Sequence, residues 1–159
     1  MNEQTIQHFY PVWREKVNYI LRVKTGDKNS LGQEIWEQLW TRQDPETVYE
    51  ICCIPFKIYN VSLGDKVSVD ENRETIKVIS PSGHYTFRVW FGDSNNPNIL
   101  NITIEELTSY GCLFEWYSEN LLAIDAPDSK MAQCVADFLI EKEEEKQLVY
   151  ETGKQSGPS

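Results

Sequence analysis

Histidine is scarce in this 159-residue chain: His8 and His84 are the only two. A histidine-based zinc centre needs more ligands at suitable spacing, so no metal site is expected. Cysteine is sparse as well. Cys52 and Cys53 are adjacent, and Cys112 and Cys134 are isolated, which is neither a disulfide framework nor a CxxC pair. The simplest role for all four is as reduced core residues. No apolar run approaches the roughly 18 residues a membrane helix needs. The opening Met1-Asn2-Glu3-Gln4-Thr5 has no basic region leading into an apolar stretch, so it does not read as a secretory signal, and the expectation is a cytoplasmic protein. Also missing are a phosphate-cradling glycine loop, a nucleophile elbow and an HExxH motif, so no cofactor is expected.

Basic residues are outnumbered too. The net charge is −10, and it is unevenly placed. Residues 1–100 carry 13 acids against 11 bases, and residues 101–159 carry 12 acids against 4 bases. Such a field repels phosphate backbones, which argues against nucleic acid, and it attracts a basic protein partner. Solubility alone is the plainer reason for an acidic surface.

Hydrophobic residues make up 40% and aromatic residues 12%, enough for a packed core. Residues 1–15, with His8, Phe9, Tyr10 and Trp13 around Pro11, read as an N-terminal arm. Val17, Tyr19, Leu21 and Val23 alternate with polar residues, which is strand periodicity. The segment 31–42 is ambiguous. Leu31, Ile35, Leu39 and Trp40 fit a helix, whereas Trp36, Gln38 and Trp40 fit one face of a strand, which is favoured over 34–42. Further strands are expected at 47–53, 66–70 and 75–80, joined by tight turns, with Gly64 supplying a positive φ. Residues 16–80 thus suggest a small antiparallel β-barrel-like half.

From residue 84 the expected order is clearer. A strand over 84–91 leads to a helix from Thr103 to about Tyr110, where Thr103-Ile104-Glu105-Glu106 matches a capping box and Gly111 a stop. Strands at 112–117 and 120–125 precede a long helix from Ser129, with Met131, Val135, Phe138, Leu139 and Lys142 on one face. A strand at 148–150 closes the unit. Residues 84–151 therefore read βαββαβ, a ferredoxin-like half, and the polar residues 152–159 as a disordered tail. The fold class is α+β.

The best candidate for chemistry is the strand from His84. His84, Thr86 and Arg88 share one face, and such a row suits a carboxylate or phosphate, with Arg88 as a bidentate fork. It is equally the wet face of an amphipathic strand. Glu115, between Phe114 and Trp116, is a buried carboxylate that can pair with Arg88 for structure or for function. Trp36 and Trp40 are a stacking shelf or, more simply, packing residues. Asp65 after Gly64 reads as a turn residue. His8 reads as an exposed or packing residue.

An ordered set of motifs resembles a family of bacterial proteins catalogued as domain of unknown function 4265. The set comprises Trp36-Glu37-Gln38-Leu39-Trp40, Ile54-Pro55-Phe56, Val61-Ser62-Leu63-Gly64-Asp65, Ser82-Gly83-His84 with Thr86 and Arg88, and Gly111-Cys112 with Glu115. Leu122-Ala123-Ile124-Asp125-Ala126-Pro127 and Tyr150-Glu151-Thr152-Gly153 complete it. The likeness spans about residues 17–153. The family's glycine after the tryptophan-glutamate strand is replaced by Asp44-Pro45-Glu46. The resemblance implies bacterial origin and a cytoplasmic location, and it supplies no catalytic residues.

Three functional expectations follow. The first is a non-enzymatic protein that meets a basic protein partner, with Glu141, Glu143, Glu144 and Glu145 as contact candidates. By analogy with acidic proteins encoded beside secreted toxins, this would be an immunity protein neutralising a basic toxin domain. The second is a small-molecule-binding or hydrolytic domain using His84, Thr86, Arg88 and Glu115 in a cleft between the two halves. The third is an assembly module whose exposed sheet edge recruits a partner.

Overall fold

A computed structural model of the chain describes residues 4–45, 48–93 and 96–154. Two sheets carry the fold. The first contains β1 (Gln4–Ile6), β2 (Tyr19–Lys28), β3 (Glu34–Gln43), β4 (Tyr49–Ile51), β5 (Lys66–Val69) and β6 (Ile76–Ser80). Its path is β1-β3-β4-β5-β6, with β2 also paired to β3. Residues 34–43 are strand rather than helix because the period-two face wins. Leu39 joins Leu21 and Val23 of β2 and Tyr49 and Ile51 of β4 in one buried cluster. Trp36 and Trp40 fall on the opposite face, where the Arg22 and Arg14 guanidinium groups lie 4.1 Å and 5.9 Å from their rings. The expected tryptophan shelf is thus covered by cationic side chains.

One expectation for this half needs correction. The sheet is not a closed barrel; the strands within residues 16–80 pair antiparallel, and β1, from the segment before them, runs parallel to β3 with Thr5 opposite Trp36. The supposed N-terminal arm therefore contains a sheet strand, Gln4–Ile6. A single 3-10 turn at Arg14–Lys16 follows it. The Asp44–Pro45 peptide is cis, while Glu46 lies outside the described residues.

The second sheet has strand order β10-β7-β9-β8, all antiparallel, from β7 (Tyr85–Trp90), β8 (Leu113–Ser118), β9 (Leu121–Ala126) and β10 (Val149–Thr152). Helix α1 (Pro97–Ser109) joins β7 to β8, and α2 (Ser129–Glu144) joins β9 to β10. Both helices pack on one face: Ile99, Leu107, Val135 and Leu139 close over Phe87, Val89, Leu122 and Ile124. Burying side chains of this size contributes roughly 1.5–3 kcal/mol each. Helix α1 starts six residues before the expected capping box. Asn96 caps it by accepting from Asn98 N–H, and Pro97 fits the first turn. Thr103 is consequently buried in mid-helix, and its hydroxyl finds no partner among the described residues. Asp128 caps α2 through the Met131 N–H, and Gly111 (φ +79) ends α1 as expected.

The other face of the second sheet meets the first. Ala123 of β9 packs with Ile6, Ile54 and Phe56. The chain end is tied in as well. Gly153 N–H donates to the Thr86 carbonyl at 2.7 Å and its own carbonyl accepts from Asn60 N–H at 2.7 Å, so Gly153 joins the two sheets and is not part of a loose tail. Residues 155–159 of the expected tail lie outside the described residues.

Candidate functional site

β7 projects His84, Thr86 and Arg88 toward the first sheet, while Tyr85, Phe87 and Val89 face the helices. The four residues singled out from sequence then part company. His84 and Thr86 line a cleft of about 620 Å³ between the turn at 62–65, the hairpin at 81–84 and the chain end at 152–154. Arg88 and Glu115 are held elsewhere.

The cleft wall is stitched by short polar contacts. Asp65 accepts from Ser62 N–H at 2.9 Å and Ser82 N–H at 2.7 Å, which is the turn role its sequence position suggests. The Ser82 hydroxyl donates to the Leu63 carbonyl at 2.7 Å. The Thr86 hydroxyl donates to Ser62 Oγ at 2.9 Å. Gly64 (φ +85) makes the turn possible, since a Cβ there would stand 3.0 Å from the Ser82 Cβ.

His84 is the group with chemistry to spare. Its Nδ1 lies 2.9 Å from both carboxylate oxygens of Asp125, which stands opposite Thr86 in the β7–β9 ladder, and the Trp13 ring meets it edge-on at 5.7 Å. Asp125 is only 1% exposed. Burial pushes its carboxyl up to about 6, against the opposing pull of the His84 hydrogen bond and charge. An ionised Asp125 accepts the Nδ1 proton and fixes the ring. Nε2 then has no hydrogen-bond partner among the described residues. Sequence reasoning placed Asp125 in a strand but gave it no role. The available signal was a lone acid in an otherwise apolar Leu121–Ala126 strand, where a buried charge requires a partner.

Arg88, 3% exposed, is not a ligand fork. Nη1 donates to the Pro55 carbonyl at 2.9 Å, Nε donates to Glu151 at 2.8 Å, and the guanidinium stacks 4.6 Å from the Tyr59 ring. Burial draws the Glu151 carboxyl upward, but hydrogen bonds from Tyr59 and Arg88 outweigh it and hold it below its ordinary value. The expected Arg88–Glu115 pair does not form.

Glu115 instead binds His8, which is fully buried rather than exposed. His8 Nδ1 is 2.7 Å from Glu115, Nε2 is 2.7 Å from Glu37, and the ring stacks on Phe56 at 4.2 Å. Glu37 also accepts from Phe56, Lys57 and Ile58 N–H, and Glu115 from Ile54 N–H. Burial disfavours the charged ring, but Cys53 and the two carboxylates outweigh it, so the pKa stands well above 6.5. Two carboxylate acceptors on two ring nitrogens are satisfied together by imidazolium. This buried cluster joins the segment after β1 to β3 and β8.

Glu141, Glu143, Glu144 and Glu145 lie exposed at the end of α2. Glu145 pairs with Lys142 at 3.1 Å, and Glu143 accepts from Tyr150 N–H at 3.1 Å. Among the described residues no helix is long and apolar enough to cross a membrane, and no group of three or more His, Cys, Asp or Glu side chains is placed to hold a metal ion.

The family model described as Domain of unknown function (DUF4265) matches residues 37–150. No curated protein matches the chain. A solved structure of a hypothetical protein from Neisseria gonorrhoeae is similar in fold, with a TM-score of 0.68 and 17% identity, covering 89% of this chain and 99% of that one.

Proposed function

We propose that this chain, which belongs to the DUF4265 family of unknown function, binds a small ligand in the cleft between its two sheets. The observation that carries the proposal is the His84–Asp125 pair: a buried acid fixes one ring nitrogen and leaves the other unengaged at the edge of a cleft of about 620 Å³. A junction between two sheets is a usual place for such a site, and this volume falls in the range of small-molecule pockets. The ring is a polar anchor, and Val61, Val78 and Pro81 supply apolar wall. Of the residues expected from sequence, His84 and Thr86 belong to this site, while Arg88 and Glu115 support its surroundings. The same reading treats the C-terminal half as ferredoxin-like, from its βαββαβ order and β10-β7-β9-β8 arrangement. Four free cysteines support a reducing, cytoplasmic compartment.

The test is thermal-shift screening of a set of small metabolites, with Val78→Trp as a cleft-filling variant. At least one compound should raise the Tm of the natural protein and not of the variant. If every hit acts equally on both proteins, the cleft is not the site.

A second reading rests on the helical layer. Glu141, Glu143, Glu144 and Glu145 stand together and exposed, which favours a basic protein partner on that face, an immunity-type role included. Replacing all four by glutamine should abolish capture of such a partner, made from the neighbouring gene, while leaving the cleft unchanged.

A further inference from the structure

The cleft wall combines an open hydrogen-bond acceptor with negative charge that no cation of the chain balances. With its Nδ1 proton given to Asp125, the His84 imidazole keeps a lone pair on Nε2 and can only accept there. The buried side-chain atoms that lack a partner are Trp36 Nε1, Trp40 Nε1, Arg88 Nη2 and Thr103 Oγ1. Nε2 lacks one too but is not buried with them, and the His84 side chain keeps 19% of its surface exposed. Two acids stand close by. Asp65 lines the cleft, with its oxygens on the Ser62 and Ser82 amides, and Asp125 lies behind the imidazole. Both are buried, and neither is paired with a lysine or arginine among the described residues. Lys154 does not offset them: its ammonium lies 5.8 Å from the Tyr85 ring, on the side of β7 that faces the helices.

We propose that the cleft takes a small organic amine in its ammonium form, one N–H donated to His84 Nε2 and the apolar body laid against Val61, Val78 and Pro81; this rests on the ligand-binding reading above and adds the ligand class. An ammonium on Nε2 stands one imidazole ring away from the Asp125 carboxylate, inside the screening length of about 8–10 Å, so the charge behind the ring acts on the ligand. Its hydrogen bond to Nε2 is charge-assisted, which a neutral alcohol cannot match. A carboxylate would add a negative charge beside two uncompensated acids and would meet an acceptor at Nε2. A metal ion would find a single open ligating nitrogen, since no group of three or more His, Cys, Asp or Glu side chains converges among the described residues.

The test is calorimetric titration of the full chain with 2-phenylethylamine and 3-methylbutylamine, the matching alcohols, and the matching carboxylates 3-phenylpropionate and 4-methylpentanoate. Amide chemical shifts of Ser62, His84 and Thr86 locate any binding. The amines should bind there at least about tenfold more tightly than the alcohols, and the carboxylates more weakly than either. Asp125→Asn, which removes the charge behind the ring at nearly constant volume, should erase most of that preference. Replacing Glu141, Glu143, Glu144 and Glu145 by glutamine should leave it unchanged, because they belong to the helical layer on the other face of the second sheet. Alcohols or carboxylates binding as well as the amines, with the same shifts, would overturn the ligand class and leave the cleft reading standing. A preference that disappears with the four glutamates would do the same. The comparison within the natural protein decides the matter even where a variant fails to fold. If no probe of any charge moves those amides, both ideas fail.

Discussion

His8 and Glu115 lie 107 residues apart in sequence, yet Nδ1 and Oε1 are 2.7 Å apart in the buried seam between the sheets. Together with Glu37 they turn an N-terminal segment into a structural rivet. His8→Ala leaves two carboxylates without their cation and should cost about 3–5 kcal/mol, the usual penalty for breaking a buried ion pair from one side. The backbone amides that both glutamates also hold place the loss toward the lower figure. Urea unfolding measures it directly.

The same pair sets an alkaline limit. The folded-state pKa of His8 is raised, so its contribution is complete below about 6.5 and is lost as pH rises through the folded value. Stability should decline from neutral into alkaline pH more steeply in the natural protein than in His8→Gln. Parallel profiles for the two would remove His8 from the account.

Asp125 acts in the same sense over a lower pH range. Its folded pKa is raised from 3.8 to about 6. The native state therefore holds that proton more tightly than the unfolded state, and this group costs stability as pH rises between those values. Asp125→Asn removes the charged form and should leave Tm at pH 8 unchanged or higher. It should still weaken ligand binding, because an amide fixes the imidazole less firmly than a carboxylate. Tm and affinity measured on one preparation separate the two effects.

Gly153 approaches β7 too closely for any other residue. A Cβ there would lie 2.8 Å from the Thr86 Cβ. Gly153→Ala should push the chain end off β7, weaken the Asn60 and Thr86 contacts and destabilise by about 1–3 kcal/mol. Hydrogen exchange at the Asn60 and Gly153 amides is the specific readout.

Arg88 tests the division between support and site. Arg88→Lys cannot reproduce the geometry that reaches both Pro55 and Glu151, so stability should fall. Ligand affinity at 20 °C should change less than about twofold, since Arg88 does not line the cleft.

What could be read from sequence followed local rules. Period-two alternation located β2, β3 and β7, and the apolar stripe located α2. The shared face of His84, Thr86 and Arg88 was legible because strand geometry dictates it. Their partners were not, because nothing local says that Glu115 turns to His8 or that Glu151 reaches Arg88 across 63 residues. The start of α1 was missed because Thr103 offered a plausible cap inside a helix that Asn96 and Pro97 had already begun. The barrel expectation failed on pairing: five short strands and tight turns do not determine whether the outer strands meet.

The account stands or falls on whether His84 lines a ligand site. The direct measurement is an amide-shift titration of the natural protein and of His84→Ala with the best compound from the thermal screen. The shifts should gather on Ser62, His84, Thr86 and Lys154 and should disappear in the variant. Shifts gathered on the helices, or persisting unchanged without the imidazole, would contradict it.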